Sequence, residues 1–161
     1  MPRGKALKEA RIMRKFYDYD ILLDMNITKE HSGNDMSGAL KNLMGLNSPA
    51  SCQFFHKRHW TLLMDDMEHL GQCIADLNTI IHPQLCINDS TEFIITNGPH
   101  GPGKLRRPQL VVAGTDRVAI DACCATLFGY DPFDILSLVQ AHEHDLGEID
   151  LTKVNIKEVI L

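Results

Sequence analysis

The spacing of apolar and polar positions predicts the elements of the first part of the chain. Apolar residues at helical spacing predict a helix over residues 5–17, and a short apolar run predicts a buried strand over residues 20–25. Residues 37–44 predict a short helix that Ser37 caps and that ends before Gly45. A helix followed by a strand and a second helix is therefore expected before residue 46.

The second half of the chain alternates more regularly. A helix is predicted over residues 65–82, where Pro83 stops it, and strands are predicted over 84–89 and 109–114. A second helix is predicted over 115–128, capped by Thr115 or Asp116 and terminated by Gly129. A third helix starts at Asp131 with Pro132 in its first turn, and an edge strand follows at 154–159. Strands separated by helices of ten or more residues predict a layered α/β fold, with a largely parallel or mixed central sheet and helices packed on it.

Length and charge narrow the class of protein. The 161 residues, 44% of them hydrophobic, predict a single domain over residues 1–161. The formal net charge is −5, and basic residues group only locally. These groups are Lys57 with Arg58 and Lys104 with Arg106 and Arg107. We therefore expect no nucleic-acid partner. We also expect no membrane partner, because no apolar run approaches the roughly 20 residues that span a bilayer.

The cysteines indicate a reducing compartment. Five cysteines form no C-x-x-C pair, and three of them lie within apolar patterns, where cysteine acts as a small hydrophobic residue. The start of the chain is charged throughout and carries no export signal. The sequence thus predicts structural cysteines and a cytoplasmic location.

Polar segments follow the predicted strands and define a candidate site. Ligands of open α/β sheets bind beyond the carboxyl ends of the strands, where loops and helix N-termini meet. Three such segments are predicted to converge here. They are Lys29, His31 and Ser32 after the first strand, residues 89–103 after the second, and Thr115 with Asp116 after the third.

Several segments in order resemble one known family. They are "NITKEHSGNDMSGALKNLMG", "CIADLNTIIHPQLCIND", "NGPHGPG" and "GTDRVAIDACCATLFGYDP". These are similar to the motifs of the domain of unknown function 362 family: a Lys-x-His loop, a Leu-Lys-Asn-x-Met-Gly segment, a strand ending in Asp, an Asn-Gly-Pro loop and a Ser/Thr-Asp-x-Val-Ala-x-Asp helix start. The resemblance spans roughly residues 8–157 and corresponds to the C-terminal portion of longer members.

The resemblance carries expectations about partners. Family members are often associated with ferredoxin-like iron–sulfur modules, so an iron–sulfur protein is an expected partner. No iron–sulfur cluster is expected in this chain, which lacks clustered cysteines. Longer members also carry an N-terminal half, and sheet edges left open without it would be covered by self-association. The chain departs from the family at Asn26 and Ile27, where Pro-Lys is usual, and at Thr96, where glycine is usual.

The resemblance also favours particular residues as ligand contacts. Lys29 and Lys41 would neutralise an anion, and Asn42 would add an amide hydrogen bond to it. The alternative is that the two lysines are solvated surface residues without a ligand. His31 would act as a metal ligand or as a general acid or base, or only form a loop hydrogen bond. Asp89 is either catalytic or the cap of an Asx turn.

The remaining candidates have structural alternatives as well. Asp121 lies in an apolar helix and therefore needs a partner when it is buried. Lys29, Lys41 or a metal is a candidate for that partner. Asp116 binds a ligand or caps its helix. Asn97 and Gly98 let the backbone approach a ligand or shape a flap.

Two histidine pairs have spacings compatible with a metal. His56 with His59 and His142 with His144 are nevertheless interpreted as surface residues, because neither pair has cysteines or paired acids nearby.

Two functions of different classes remain open. The first is an enzyme or enzyme remnant that binds an anionic small molecule or a divalent metal, with His31, Asp89 and Asp121 as candidate catalytic residues. The second is a non-catalytic binding or scaffold module that docks an iron–sulfur or redox partner. No nucleophile with an adjacent base is recognised, so the sequence predicts no reaction.

Overall fold

A computed structural model describes residues 1–56 and 64–160 of the chain. The basic pair Lys57 and Arg58, and His59 of the first histidine pair, lie outside the described residues. The described strands are β1 (Leu23–Ile27), β2 (Lys29–His31), β3 (Asp35–Ser37), β4 (Leu85–Ser90), β5 (Phe93–Ile94), β6 (Leu105–Arg106) and β7 (Leu110–Gly114). The described α-helices are α1 (Ala39–Asn42), α2 (Pro49–Phe55), α3 (Met64–Asn78), α4 (Arg117–Phe128) and α5 (Leu136–Glu143).

The fold is a mixed α/β structure built on a three-stranded sheet with the order β1-β4-β7. β1 pairs with β4 in parallel, and β4 pairs with β7 in antiparallel orientation. Two small antiparallel pairs, β2 with β3 and β5 with β6, lie beside it. The predicted class, helices packed on a largely parallel or mixed sheet, is confirmed.

The three longest helices supply most of the core. Leu70, Ile74 and Leu77 of α3 are fully buried, and they belong to one cluster with Val118 of α4 and Leu138 of α5. The period of three to four residues that predicts α3 from the sequence is therefore the period of its buried face. No helix of the described residues is long and apolar enough to cross a membrane.

The caps of α4 are those that the sequence predicts. The Asp116 carboxylate accepts hydrogen bonds from the backbone N–H groups of Val118 and Ala119, both at 3.0 Å. Gly129 ends the helix with φ of 88°, a left-handed conformation that glycine adopts without steric cost. Asp131 caps a 3₁₀ turn, Pro132–Asp134, and α5 follows that turn.

The predicted helix over residues 5–17 is wrong. Only a 3₁₀ turn, Arg14–Asp18, forms there. The backbone N–H groups of Ala6 and Leu7 instead donate to the buried Asp76 carboxylate of α3, both at 2.7 Å. This long-range contact replaces the hydrogen bonds that a local helix would have made.

The Asp76 carboxylate also contacts His144, whose predicted position at the surface is wrong. His144, predicted to lie at the surface, is 4% exposed, and its Nε2 lies 2.9 Å from Asp76 Oδ1.

The predicted edge strand at 154–159 is also wrong, because that segment pairs with no described strand. Ser37 ends β3 rather than capping a helix, and Gly38 occupies the N-cap of α1.

The sheet has one polar buried face and one apolar exposed face. On β1, Asp24 and Asn26 are buried, while Leu23, Met25 and Ile27 are 52%, 67% and 54% exposed. We define the outer sheet face by the side chains on the exposed side, namely Leu23, Met25, Ile27, Leu85, Ile87, Asp89, Val111 and Ala113. The strand predicted over 20–25 forms at Leu23–Ile27 instead, and its apolar residues are exposed rather than buried against the helices.

Candidate functional site

The β2–β3 hairpin brings Lys29 and His31 to one side of the molecule. Residues two apart in a strand share a face, so both side chains point the same way. At the hairpin tip the Gly33 N–H donates to His31 Nδ1 at 3.1 Å, and the Asn34 N–H donates to the His31 carbonyl at 3.0 Å. The first contact orients the imidazole, and the second closes the backbone turn at the hairpin tip.

Helix α1 follows the hairpin and carries Lys41. Its first N–H groups are held by Asp121 of α4, which accepts from Ala39 N at 2.7 Å and from Leu40 N at 2.9 Å. Asn88 of β4 donates to the same carboxylate at 2.9 Å. Because a helix of four residues has little stability of its own, this buried carboxylate determines where α1 starts.

A third segment completes the arrangement. Ser48 caps α2, with Pro49 in its first turn, and Ser51 N–H donates to the Ser48 hydroxyl at 3.3 Å. His56 follows directly after this helix, and its ring stacks on His31 with centroids 5.7 Å apart. We call Lys29, His31, Lys41 and His56 the cationic cluster.

The groups of the cationic cluster perturb one another. Burial, the two lysines and His56 lower the pKa of His31 to about 3. Burial, followed by the charge of Lys29, lowers the pKa of Lys41 to about 8. Burial also lowers the pKa of Lys29. At neutral pH His31 is therefore a neutral imidazole.

Among the described residues, the two lysine charges are not paired with carboxylates in salt bridges. Within residues 1–56 and 64–160, neither Lys29 nor Lys41 forms a salt bridge, and the Lys29 ammonium donates to the Ile27 carbonyl at 3.0 Å. Lys41 lines a very small cleft, of about 10 Å³, together with Asn34, Asp121 and Ser137. Partly buried cations without counter-ions attract an anion from solution.

Among the described residues Asp121 forms no salt bridge with Lys29 or Lys41, although it lines the same small cleft as Lys41. It is 4% exposed, and burial raises its pKa to about 6 against the opposing effect of its three donors. Those donors are backbone N–H groups and an amide, so Asp121 finds the partner that its apolar helix requires without a metal or a lysine. Its role in this geometry is to position α1.

Asp89 lies apart from the cationic cluster. Its side chain is on the outer sheet face, opposite to that of Asn88, and its carboxylate accepts from the N–H and hydroxyl of Thr91 at 2.8 and 2.7 Å. This is the Asx turn considered from the sequence. The expected convergence of the three segments that follow the strands is wrong for Thr115 and Asp116, because β7 is antiparallel to β4 and ends at the opposite edge of the sheet.

The remaining candidates occupy structural positions. Asn42 donates to Asp24 Oδ1 at 2.5 Å and so points toward the buried face of the sheet, where Asp24 lies. Ser32 is exposed at the hairpin tip. Asp116 caps α4 and also accepts from Glu148 N at 2.8 Å.

The Asn97–Gly98 loop lies against β2. The Gly98 N–H donates to the Glu30 carboxylate, and a Cβ on Gly98 would lie 2.0 Å from the Glu30 carbonyl oxygen. Asn97 Nδ2 donates to the Pro102 carbonyl at 3.1 Å. Gly98 thus permits close approach to the strand that carries Lys29 and His31, although the loop itself supplies no group to the cationic cluster.

Sequence reasoning missed His56 and the amides under the sheet. His56 was interpreted as a surface residue, and nothing in its spacing indicates the stack on His31. Asn26 Nδ2 donates to Asn88 Oδ1 at 2.6 Å, which extends the Asp121 network to β1. Two asparagines among apolar strand residues are the signal that could have indicated this network.

No metal centre is recognised among the described residues. No group of three or more His, Cys, Asp or Glu residues there could hold one metal ion.

The chain belongs to the family of Domain of unknown function (DUF362), whose model matches residues 1–126. This range contains every candidate residue predicted from the sequence. No curated protein and no solved structure matches the chain.

Gly38 provides a test of the carboxylate that positions α1. A Cβ on Gly38 would lie 2.1 Å from Asp121 Oδ1, so we expect Gly38→Ala to lower the free energy of unfolding by about 1–3 kcal/mol, as overpacking does. Gly45 is the matched control, because a Cβ there meets nothing within 4 Å. Gly45→Ala should be neutral or stabilising by about 0.4–1 kcal/mol in urea unfolding. Equal effects of the two variants would contradict this geometry.

Proposed function

We propose that the protein binds a small anionic molecule at the cationic cluster. The observation that carries the proposal is that two like charges, Lys29 and Lys41, both act on the His31 imidazole. Both lysines lower the pKa of His31, Lys29 lowers the pKa of Lys41, and neither lysine forms a salt bridge within the described residues. Bringing unpaired cations together in a partly buried place costs free energy, which a bound anion recovers.

The proposal assigns different roles to the predicted residues. Lys29 and Lys41 supply positive charge to the ligand. His31 donates a hydrogen bond from Nε2, because Nδ1 accepts from Gly33. Asp121, Asn88 and Gly38 position α1 and thereby Lys41. This arrangement supports recognition, and we propose no chemical step.

The divalent metal and the iron–sulfur partner stay predictions. The chemistry of the cationic cluster, ammonium and imidazole N–H donors without carboxylates, suits an anion rather than a metal ion. A docking function would use a different surface.

One observation favours self-association as a second candidate function. The outer sheet face carries seven apolar side chains and presents on the order of 500 Å² of apolar surface, within the roughly 300–600 Å² of the largest apolar patch on a typical monomer, which is often functional. This approaches the roughly 800 Å² per partner of a standard interface. We propose a second copy of the chain as its occupant, because a nearly uncharged face is self-complementary in a two-fold pair.

Anion binding is tested by titrating phosphate, sulfate and acetate at constant ionic strength and following the imidazole NMR signals of His31. We expect saturable binding that Lys41→Gln weakens by about tenfold or more, since a charged hydrogen bond is lost. Lys157→Gln removes an exposed lysine distant in sequence and should leave binding unchanged. Absence of saturation by every anion up to about 10 mM would contradict the proposed function.

Self-association is tested by light scattering across micromolar concentrations. We expect a dimer that Met25→Asp converts to monomer, because the substitution places a charge on the outer sheet face. Ile156→Asp is the matched control, since Ile156 is 57% exposed and lies outside the sheet. A monomeric wild-type protein at about 100 μM would exclude the dimer as a functional state.

A further inference from the structure

A cavity lies beyond the amino ends of β1 and β4. Its volume is about 330 Å³, at the lower end of the roughly 300–1,000 Å³ of small-molecule pockets. Leu22 and Gln84, which line it, directly precede the two strands, whereas Lys29 follows the carboxyl end of β1. The lining shares no residue with the cationic cluster, so this inference does not rest on the proposed function.

Hydrogen bonds hold the walls of this cavity in place. On one side the Met13 N–H donates to the Leu46 carbonyl at 2.8 Å, and the Phe16 N–H donates to the Met13 carbonyl at 3.0 Å. On the other side the Gln84 N–H donates to the Leu22 carbonyl at 2.9 Å, and the Leu22 N–H donates to Gln84 Oε1 at 2.7 Å. Because these contacts are made within the protein, the cavity is formed before a ligand binds.

Most of the lining is apolar, and part of it consists of flat rings. The apolar lining residues are Met13, Phe16, Tyr19, Ile21, Leu22 and Leu46. Phe16 and Tyr19 contribute aromatic rings, and His82 adds a third ring from the segment before β4. These rings favour a planar aromatic ligand, since contacts between aromatic groups stabilise a complex beyond the area that they bury.

The nitrogens of His82 are engaged within the protein. Nε2 lies 3.2 Å from the Thr79 carbonyl oxygen, which only accepts, so Nε2 carries the hydrogen. Nδ1 lies 3.4 Å from Arg117 Nη2, which only donates, so Nδ1 accepts. His82 therefore offers the cavity its ring surface rather than a hydrogen-bonding nitrogen.

Gln84 supplies a hydrogen-bond donor to the cavity. Its Oε1 accepts from the Leu22 N–H, which identifies the oxygen of the amide and leaves Nε2 as its other end. Within residues 1–56 and 64–160, Gln84 Nε2 forms no hydrogen bond. A carbonyl oxygen of a ligand in the cavity would therefore accept from this nitrogen.

The charges at the cavity balance. Lys15 and Asp20 both line it, and both side chains are exposed. One positive and one negative charge, each screened by solvent, favour neither an anion nor a cation. The expected ligand is therefore uncharged.

We propose that this cavity binds a small, neutral, planar aromatic molecule that carries a carbonyl group, such as a fused two-ring lactam. The rings of the ligand lie against Phe16, Tyr19 and His82, and its carbonyl oxygen accepts from Gln84 Nε2. A saturated ring system of the same size would bury a similar area but would lose the aromatic contacts.

The test compares three compounds of similar size. They are 2-quinolinone, decahydro-2-quinolinone, which keeps the carbonyl group but is saturated, and 2-naphthoate, which keeps two aromatic rings but carries a negative charge. Each compound is titrated into the protein while the methyl NMR signals of Leu22 and Leu46 are followed. We expect saturable shifts with 2-quinolinone, and binding that is about threefold or more weaker for each of the other two compounds.

Variants test the assigned contacts. Tyr19→Ala should weaken the binding of 2-quinolinone by about threefold or more, because one aromatic contact is lost. Phe133→Ala is the matched control, since Phe133 is also an exposed aromatic residue, at 56% against 71% for Tyr19, and does not line the cavity. Gln84→Glu keeps an oxygen that accepts from the Leu22 N–H but removes the donor, so it should weaken binding by a similar factor.

Three results would overturn the inference. Absence of saturable shifts up to about 2 mM 2-quinolinone rejects the site. Equal or tighter binding of decahydro-2-quinolinone or of 2-naphthoate rejects the neutral aromatic class. An unchanged affinity of Tyr19→Ala for 2-quinolinone places the bound compound elsewhere. None of these results bears on anion binding at the cationic cluster, which is measured separately.

Discussion

The contact between the Asp121 carboxylate and the first N–H groups of α1 is the constraint on which the candidate site depends. Helix α1 has four residues and cannot persist by its own hydrogen bonds. Asp121 belongs to α4, whose apolar residues are buried in the core. Its hydrogen bond with the Ala39 N–H therefore ties the segment that carries Lys41 to a well-packed helix. Asn88 and Asn26 extend the same network to β4 and β1.

This contact has a characteristic dependence on pH. Burial raises the pKa of Asp121 from 3.8 to about 6. A carboxyl group whose pKa is higher in the folded state contributes stability that is complete below pH 3.8 and is lost as the pH rises through about 6. At neutral pH the ionised form is therefore tolerated because three donors surround it, and removal of any of them leaves buried charge less compensated.

The elements that the sequence predicts correctly are those whose signals are local. The apolar spacing of α3, the Asp116 cap and Gly129 of α4, and the apolar runs of β4 and β7 each lie within a few residues of the element they define. The helix predicted over 5–17 fails because Ala6 and Leu7 bind Asp76, about 70 residues away in the chain. Periodicity alone carries no information about such a contact.

The candidate site was predictable in part for the same reason. The sequence predicts Lys29 and His31 in one polar loop, and the family motifs add Lys41, but the β2–β3 hairpin that places the first two side chains on one face is not predicted. Asp89 was placed correctly at a strand end, but alternation does not reveal which face of a sheet is buried. Here the buried face is the polar one, and Asp89 therefore points away from Lys41.

Amide hydrogen exchange tests the central contact most directly. In the wild-type protein we predict that the Ala39 and Leu40 amides exchange as slowly as the core amide of Ile74. In Asp121→Ala both should exchange much faster than Ile74 of the same variant, which separates local release of α1 from global destabilisation. Fast exchange of Ala39 and Leu40 in the wild-type protein, or an unchanged ratio to Ile74 in the variant, would contradict the account.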